Sequence, residues 1–545
     1  MTTPSHQRNC RSLRAPRWAL GLVLLGCRVL AAQVPETTPT APEAATKPIF
    51  ITEYRVEGAK QIGRVDVESA VYPYMGPERT TDDIEGARAA LEKAYRDKGY
   101  QTVTVEIPQQ LGQRGIIILK VVENKVGRLR VKGSRYFDIE AIKRQAPSLA
   151  EGSVPNFNDV TRDLVRLNTL PDRRITPALR PGVEPGTVDI DLNVKDTFPL
   201  HGNVELNNRA APDTTALRLN GSVSYNNLWQ LGHSVGVSFQ VSPQDRSEVK
   251  VLSGYYIARF PQVDWLSLMF NATKQNSNVS TIGQTAVAGN GQILGGRALI
   301  TLPAKKNFYH SMSFGLDYKD LRQLVQVGAG TTAATVLDTP TEYYPWNLGY
   351  NATWANKNAL TELNTNLVFG ARGTEPDRSQ FENSRFRADS NFFYLRGDLA
   401  HTQTFKGGAE IYAKVQGQLA DQPLINSEQV TGGGLGTVRG YLEAEVVGDS
   451  GVFGSVELRS PSLLGWAPKV GEWRVYGFLE GGTLTLHDPL PEQDGTFRIA
   501  SVGVGSRLQL VDHLGGSIDL GVPLISQSRS QAHDPHVIFR VWADF

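Results

Sequence analysis

The stretch Ala409-Glu410-Ile411-Tyr412-Ala413-Lys414-Val415-Gln416-Gly417-Gln418-Leu419 places small or apolar residues at every odd position and mostly polar ones between them. Period-two alternation is the mark of a strand with two unlike faces. The same pattern recurs through the second half of the chain. Leu200, Gly202, Val204 and Leu206 alternate in this way, as do Leu217, Leu219, Val223 and Tyr225. So do Val235, Val237, Phe239 and Val241, and Met312, Phe314, Leu316 and Tyr318. Candidate strands fall near 198–208, 213–226, 230–242, 246–258, 262–276, 290–302, 307–322, 342–356, 360–372, 385–401, 402–419, 450–461, 472–484, 496–510, 513–523 and 535–545. A soluble sandwich also alternates, so one strand decides little. Sixteen, an even number, at roughly 22 residues per strand and its connection, fits a membrane β-barrel with short turns.

The region ahead of these strands has a different texture. Arg8, Arg11, Arg14 and Arg17 precede the apolar run Trp18 to Cys27, and Val29-Leu30-Ala31-Ala32 offers small residues for cleavage. Residues 1–32 therefore read as a signal peptide. Leu24-Leu25-Gly26-Cys27 also reads as a lipoprotein box, but Arg28 would then follow the cysteine. Both cysteines, Cys10 and Cys27, lie in this segment, so the exported chain is expected to carry no thiol, no disulfide and no cysteine metal site. Residues 33–47, rich in Pro, Thr and Ala, read as a linker. No later stretch of 18 apolar residues offers a transmembrane helix, so a spanning structure has to be a closed barrel.

Between linker and barrel the sequence repeats itself. Tyr54-Arg55-Val56-Glu57-Gly58-Ala59-Lys60 is echoed by Leu129-Arg130-Val131-Lys132-Gly133-Ser134-Arg135, and Leu119-Lys120-Val121-Val122-Glu123 by Leu192-Asn193-Val194-Lys195-Asp196. This predicts a duplicated small α/β module over 48–124 and 125–197, of order β-α-α-β-β. In the first copy a strand spans Phe50 to Val56. Helices cover 64–74 and 81–98, with Thr81 as N-cap and Gly99 past the end, and further strands hold Val103 to Ile107 and Ile116 to Val122. The second copy has a strand at 126–132, helices near 139–145 and 158–168, a Pro-broken stretch, and a strand at 187–194. The barrel then occupies 198–545.

Composition excludes several functions. Lys plus Arg number 56 against 55 Asp plus Glu, so no net field gathers nucleic acid. Enzyme signatures are missing: there is no His-Glu-x-x-His helix and no Gly-x-Ser-x-Gly elbow. The His533-Asp534-Pro535-His536 cluster reads as a solvated loop rather than a metal site, and no cofactor is implied. The final strand places Val537, Phe539, Val541, Ala543 and Phe545 on one face, and its terminal Phe545 resembles the sorting signal read by the outer-membrane barrel assembly machinery.

One connection, 420–450, is out of proportion, and loops of such length usually carry function. It contains Thr431-Gly432-Gly433-Gly434-Leu435-Gly436 and Val438-Arg439-Gly440-Tyr441. No Lys-Ser or Lys-Thr follows the glycines, which speaks against a phosphate loop. On a solvated loop Arg439 is an ordinary charge; if the loop enters the barrel, its guanidinium requires an acid. Glu480, in Phe478-Leu479-Glu480-Gly481-Gly482, is the candidate.

These two motifs resemble the hallmarks of the BamA/TpsB superfamily of outer-membrane protein translocators and insertases. Two modules ahead of the barrel look most like the two-partner-secretion transporters of the ShlB/FhaC/HecB type, with the modules as POTRA domains. The resemblance implies a 16-stranded barrel in the outer membrane with periplasmic POTRA domains. It further implies that the loop bearing Arg439 folds inward and gates the lumen while pairing with the acid of the Phe478-x-Glu480-x-Gly482 motif. Its implied partners are an unfolded secreted exoprotein, outer-membrane lipid and, during biogenesis, the assembly machinery. Many such transporters carry an N-terminal plug helix; only about fifteen residues separate the expected signal peptide from the first module here, so none is expected. A barrel-assembly factor and a passive porin stay open as alternatives.

Overall fold

The computed structural model describes residues 48–110, 115–212, 214–246, 249–260, 263–280, 287–327, 334–370, 378–511 and 513–545. The expected signal peptide, the linker and the expectation of no plug helix lie outside the described residues. The chain divides into two compact units, one ending at Asn124 and one running from Lys125 to Phe545.

The first unit packs helices Arg64–Val71 and Thr81–Asp97 on a sheet in which Ile116–Val122 is central, parallel to Glu53–Glu57 and antiparallel to Thr104–Glu106. Ala87, Leu91, Tyr95, Ile117 and Leu119 are buried between the layers. The N-cap of the long helix is Thr80, not the expected Thr81. Asp83, three residues on, returns a carboxylate oxygen to the Thr80 amide at 2.9 Å and so completes a capping box. The sequence reading also did not anticipate a small two-stranded sheet of Ile49–Ile51 and Gly76–Arg79.

The second unit opens with the repeated module. Strands Lys125–Lys132, Thr187–Asp196 and Arg173–Pro181 form its sheet in that spatial order, backed by helices Ile139–Arg144 and Phe157–Leu167. The Pro-broken stretch is thus a strand after all: Arg173–Pro181 lies at the sheet edge, where Pro177 and Pro181 are tolerated. The sequence echo has a physical origin. Gly58 and Gly133 both adopt positive φ (87° and 85°), and a Cβ on them would sit 2.4 Å and 2.5 Å from the carbonyl oxygens of Val121 and Val194. The turn after each glycine is held by an acid from the module's last strand or just beyond it. Glu123 accepts from the amides of Lys60 and Gln61 (2.6 and 2.8 Å), and Asp196 from those of Arg135 and Tyr136 (2.8 and 2.9 Å).

The barrel strands are β1 Leu200–Asn207, β2 Arg218–Leu228, β3 His233–Val241, β4 Val249–Phe260, β5 Val263–Ser280, β6 Val287–Thr301, β7 Phe308–Val327, β8 Ala334–Ala355, β9 Ala359–Gly370, β10 Phe393–Thr404, β11 Glu410–Ala420, β12 Ser450–Arg459, β13 Gly471–Thr485, β14 Thr496–Leu510, β15 Leu514–Pro523 and β16 His536–Asp544. β8 is broken at Tyr344, yet both parts pair with β7 in one register (Lys319↔Tyr343, Leu316↔Trp346), so sixteen antiparallel strands close the barrel. Three expected strands differ most in their bounds from those observed. The turn between β10 and β11 lies at 405–409, around Gly408 with φ 85°, rather than near 401, and part of 385–401 is connection. Alternation continues through Thr402 to Thr404 without a break, and the Lys406-Gly407-Gly408 turn signal was passed over. β8 likewise starts eight residues earlier than expected, at Ala334 rather than 342.

Burial in the barrel is inverted relative to a soluble protein. Val237, Leu252, Phe270, Leu294, Leu399, Val415, Leu458, Leu479, Val504 and Ile518 are exposed, while Gln240, Asp317, Asn347, Gln418, Glu457, Glu480, Ser501 and Asp519 are buried. Apolar residues therefore face the lipid and polar ones the interior. The seam joins β16 to β1 from Arg540↔Asn207 to Asp544↔Asn203, and Phe545 extends it by two backbone bonds to Gly202 (3.0 Å each). The Phe545 ring lies on Gly202, where any Cβ would collide with it at 1.9 Å.

The second module is joined firmly to the strand ends. Asp172 meets His201 at 2.7 Å, Gln230 accepts from the Asp138 amide at 3.0 Å, and Phe198 stacks edge-on between Tyr136 and Tyr225 (5.4 and 6.2 Å).

Candidate functional site: the inward loop and its carboxylate pocket

The connection between β11 and β12, residues 421–449, leaves the wall at Ala420, the end remote from the chain's entry at Leu200. It then folds back inside the barrel. Its stem is a short antiparallel pair, Val430–Gly432 with Val446–Gly448, and its tip reaches Glu457, two residues from the opposite end of β12.

All four residues of the Val438-Arg439-Gly440-Tyr441 motif are accounted for by contacts. Val438 is fully buried in an apolar cluster with Tyr441, Val446, Phe453, Leu484 and Ile499. Arg439 is 3% exposed and meets three carboxylates. Its Nε donates to Glu480 Oε1 (3.0 Å), Nη2 to Glu457 Oε1 (2.7 Å) and Nη1 to Asp519 Oδ1 (2.9 Å), and its backbone amide donates to Glu480 Oε2 (2.6 Å). Gly440, at φ 98°, lies against Gly521 of β15, where a Cβ on Gly521 would come within 2.6 Å of the Gly440 nitrogen. Tyr441 donates its hydroxyl to the carbonyl of Ile525 (2.7 Å), with that of Ala500 3.0 Å away.

The wall motif answers these contacts. The Phe478 ring centre lies 3.6 Å from the Arg439 guanidinium carbon, a cation–π contact in a desolvated place. Glu480 takes both the side chain and the amide of Arg439, and Ser455 donates to it at 3.0 Å. Gly482 leaves room for Phe453, whose ring a Cβ would approach to 2.3 Å. Around the pocket, Arg459 pairs with Glu457 at 2.7 Å and the Tyr476 hydroxyl donates to Asp519 at 2.8 Å. One guanidinium with five donors thus satisfies three acids that would otherwise repel one another.

The structure brings together seven predicted residues, Val438, Arg439, Gly440, Tyr441, Phe478, Glu480 and Gly482. Phe545 lies elsewhere, at the seam. Sequence reading missed Glu457 and Asp519, although each is an acid at a lumen-facing position of an otherwise apolar-alternating strand, the same signal that marked Glu480.

A second set of missed residues anchors the loop's stem. Asp449 is fully buried and accepts from Arg385 Nη2 (2.8 Å), from the amides of Leu424 (3.0 Å) and His487 (2.7 Å), and from Gln429 (3.1 Å); Arg385 Nη1 is also bonded to it. Glu428 meets Lys319 and Tyr343 (2.5 Å each) and Tyr394 (2.7 Å). Beside them Phe381, Ala388 and Phe392, from the connection between β9 and β10, pack with Leu321, Tyr343, Val368, Tyr394, Leu424 and Ile425. At the tip, Glu443 pairs with Arg209 at 2.6 Å and Glu445 with Ser530 at 2.6 Å. The loop is held from β7 around to the β1–β2 connection. Among the described residues no group of three or more His, Cys, Asp or Glu side chains could hold a metal ion.

Comparison with known proteins agrees with this architecture. Residues 186–508 match the model of the family described as haemolysin secretion/activation protein ShlB/FhaC/HecB, and residues 49–124 match the ShlB-type POTRA domain. The outer membrane transporter CdiB of Escherichia coli is 23% identical over 518 residues, covering 91% of this chain and 83% of its own length. The heme/hemopexin transporter protein HuxB of Haemophilus influenzae is 20% identical over 387 residues, 69% of this chain and 66% of HuxB. The solved CdiB of E. coli superposes with a TM-score of 0.64 at 19% identity (94% and 93% coverage). Haemophilus ducreyi BamA lacking POTRA domains 1–3 gives 0.55 at 14% identity (91% and 100%). With more than half its length matched, the chain belongs to the ShlB/FhaC/HecB family, as an outer-membrane β-barrel transporter whose POTRA modules lie in the periplasm.

Proposed function

We propose that this protein captures an unfolded exoprotein on its POTRA modules and passes it outward through the barrel, with the Arg439 loop as the gate. The observation that carries this reading is the loop itself. It is fastened across the lumen by a tip whose strongest anchor is a single ion cluster, Arg439 with Glu457, Glu480 and Asp519. Breaking one guanidinium's contacts removes the tip's buried fastening and leaves the contacts of Glu443 and Glu445, whereas the stem has its own anchors at Asp449 and Glu428. Capture by strand addition suits an extended client, because main-chain bonds are indifferent to its sequence. Phe545, paired with Gly202 at the seam, supports a role for the last strand in barrel assembly.

The test is co-expression with an exoprotein encoded beside this gene. The expected result is that the exoprotein appears in the medium. Its retention in the periplasm while the barrel is folded would overturn the reading, and a general loss of other outer-membrane barrels on depletion would favour an assembly factor instead.

A further inference from the structure

The second module's sheet has one face packed on its helices and one that no described element covers. Residues opposite one another in the sheet share a face. The registers Arg130↔Asp191↔Ala178, Lys132↔Asn193↔Thr176, Asp189↔Arg180 and Lys195↔Arg174 therefore put five cations and two carboxylates on the open side. The two acids are sunk beneath the cations. Asp189 and Asp191 side chains are 4% and 0% exposed, while those of Arg130, Lys132 and Arg180 are 45%, 42% and 58% exposed. Lys132 and Arg180 reach Asp191 at 2.7 and 3.0 Å, and Arg130 reaches Asp189 at 2.7 Å. The hydrogen bond from Lys132, aided by the nearby guanidinium groups, holds the Asp191 carboxyl below its usual range, so this acid stays charged and keeps the cations around it ordered. Arg174 and Lys195 are exposed and have no carboxylate within ion-pair distance among the described residues.

We infer that this face is a docking track for an extended acidic segment of the client polypeptide. Each of the four registers, set two residues apart along the sheet, holds at least one cation, from one strand or another, and this spacing of roughly 7 Å matches side chains projecting from one face of an extended chain. The track follows Thr187–Asp196, whose C-terminal end leads directly into β1 of the barrel. It runs some 20 Å along the strands, counting about 3.3 Å per residue. A polypeptide in extended form carries acidic side chains at the same repeat along one face, so it is the occupant that matches the track along its length. Strand addition is not the mode of binding here. Pro177 and Pro181 blunt one edge, and on the other Val126 exchanges backbone bonds with Gly152 and Ser153 (2.8 Å each). Binding is by charge, on the face.

The inference rests on the secretion reading for the identity of the occupant, but its test does not use secretion. Detergent-solubilised full-length protein is titrated with a fluorescein-labelled peptide of alternating Glu and Thr, and with its Lys-Thr counterpart. The acidic peptide is expected to bind, more weakly as salt rises. The double reversal Arg174→Glu with Lys195→Glu is expected to weaken binding tenfold or more, while Lys93→Glu, on the first module, leaves it unchanged. Should the reversal disturb folding, Arg174→Gln with Lys195→Gln gives a smaller loss in the same direction. Equal binding of the acidic peptide to wild type and both double variants overturns the inference. Displacement of the peptide by monomeric dihexanoyl-phosphatidylglycerol at equal charge concentration also overturns it, and assigns the face to lipid headgroups. Failed secretion with intact peptide binding would instead count against the secretion reading alone.

Discussion

Arg439→Ala is expected to open the barrel and to cut productive secretion by tenfold or more, to a level that is still measurable. The substitution leaves Glu457, Glu480 and Asp519, all buried and all within reach of one vanished guanidinium, without their shared counter-ion. Removing one partner of a buried ionic cluster costs about 3–5 kcal/mol, because the remaining charges are left desolvated and unpaired. Arg459 still holds Glu457 from the other side, so the wall survives and the loss falls on the loop. The tip then loosens, with Val438 and Tyr441 drawn from their apolar site and the contacts of Glu443 with Arg209 and Glu445 with Ser530 left to hold it. Single-channel recordings in planar bilayers should show a larger and noisier conductance than wild type, and co-expression should leave most of the exoprotein in the periplasm. Arg439→Lys is expected to recover little, since an ammonium on a flexible stem cannot serve three carboxylates in the geometry of the planar fork.

Asp449→Ala should be nearly as damaging by a different route. Asp449 gathers Arg385, Gln429 and the amides of Leu424 and His487, which ties the loop's stem to the β9–β10 and β13–β14 connections. Without it Arg385 is left a largely buried cation and two amides lose their acceptor, again about 3–5 kcal/mol by the buried-pair precedent. The Arg439 cluster is untouched, so the tip should stay in place while the stem frays. Limited proteolysis of the folded barrel from outside is expected to cut within 421–430 in this variant and not in wild type. Protection equal to wild type would show that the apolar cluster around Phe381 alone suffices to anchor the stem.

Much of this was legible in the sequence because it depends on local pattern. Alternation such as Ala409 to Leu419 reports a two-faced strand whatever surrounds it, and the duplicated modules announced themselves through a turn that physics imposes twice, at Gly58 and Gly133. The motif glycines were visible too, though their reasons were not. Gly440 is needed because two backbones meet at Gly521, a contact between positions eighty residues apart. The missed parts share that property. Asp449, Arg385 and Glu428 are ordinary charged residues in connections, and only the fold shows that the two acids are buried and that Arg385 closes over Asp449. Arg173–Pro181 was passed over because its prolines disqualify a central strand, and nothing local says that the strand is an edge. The β10–β11 turn was misplaced since Thr402 to Thr404 keep the strand period up to the glycines.

The central claim is that Arg439 and Glu480 act as one fastening, and a double-mutant cycle on secretion and conductance tests it most directly. Arg439→Ala, Glu480→Ala and the pair are compared with wild type for exoprotein released and for open-channel conductance. The account predicts that the double variant is no worse than Arg439→Ala alone, a coupling of about tenfold, or ~1.4 kcal/mol. Effects of the two single changes that multiply in the double variant would contradict it.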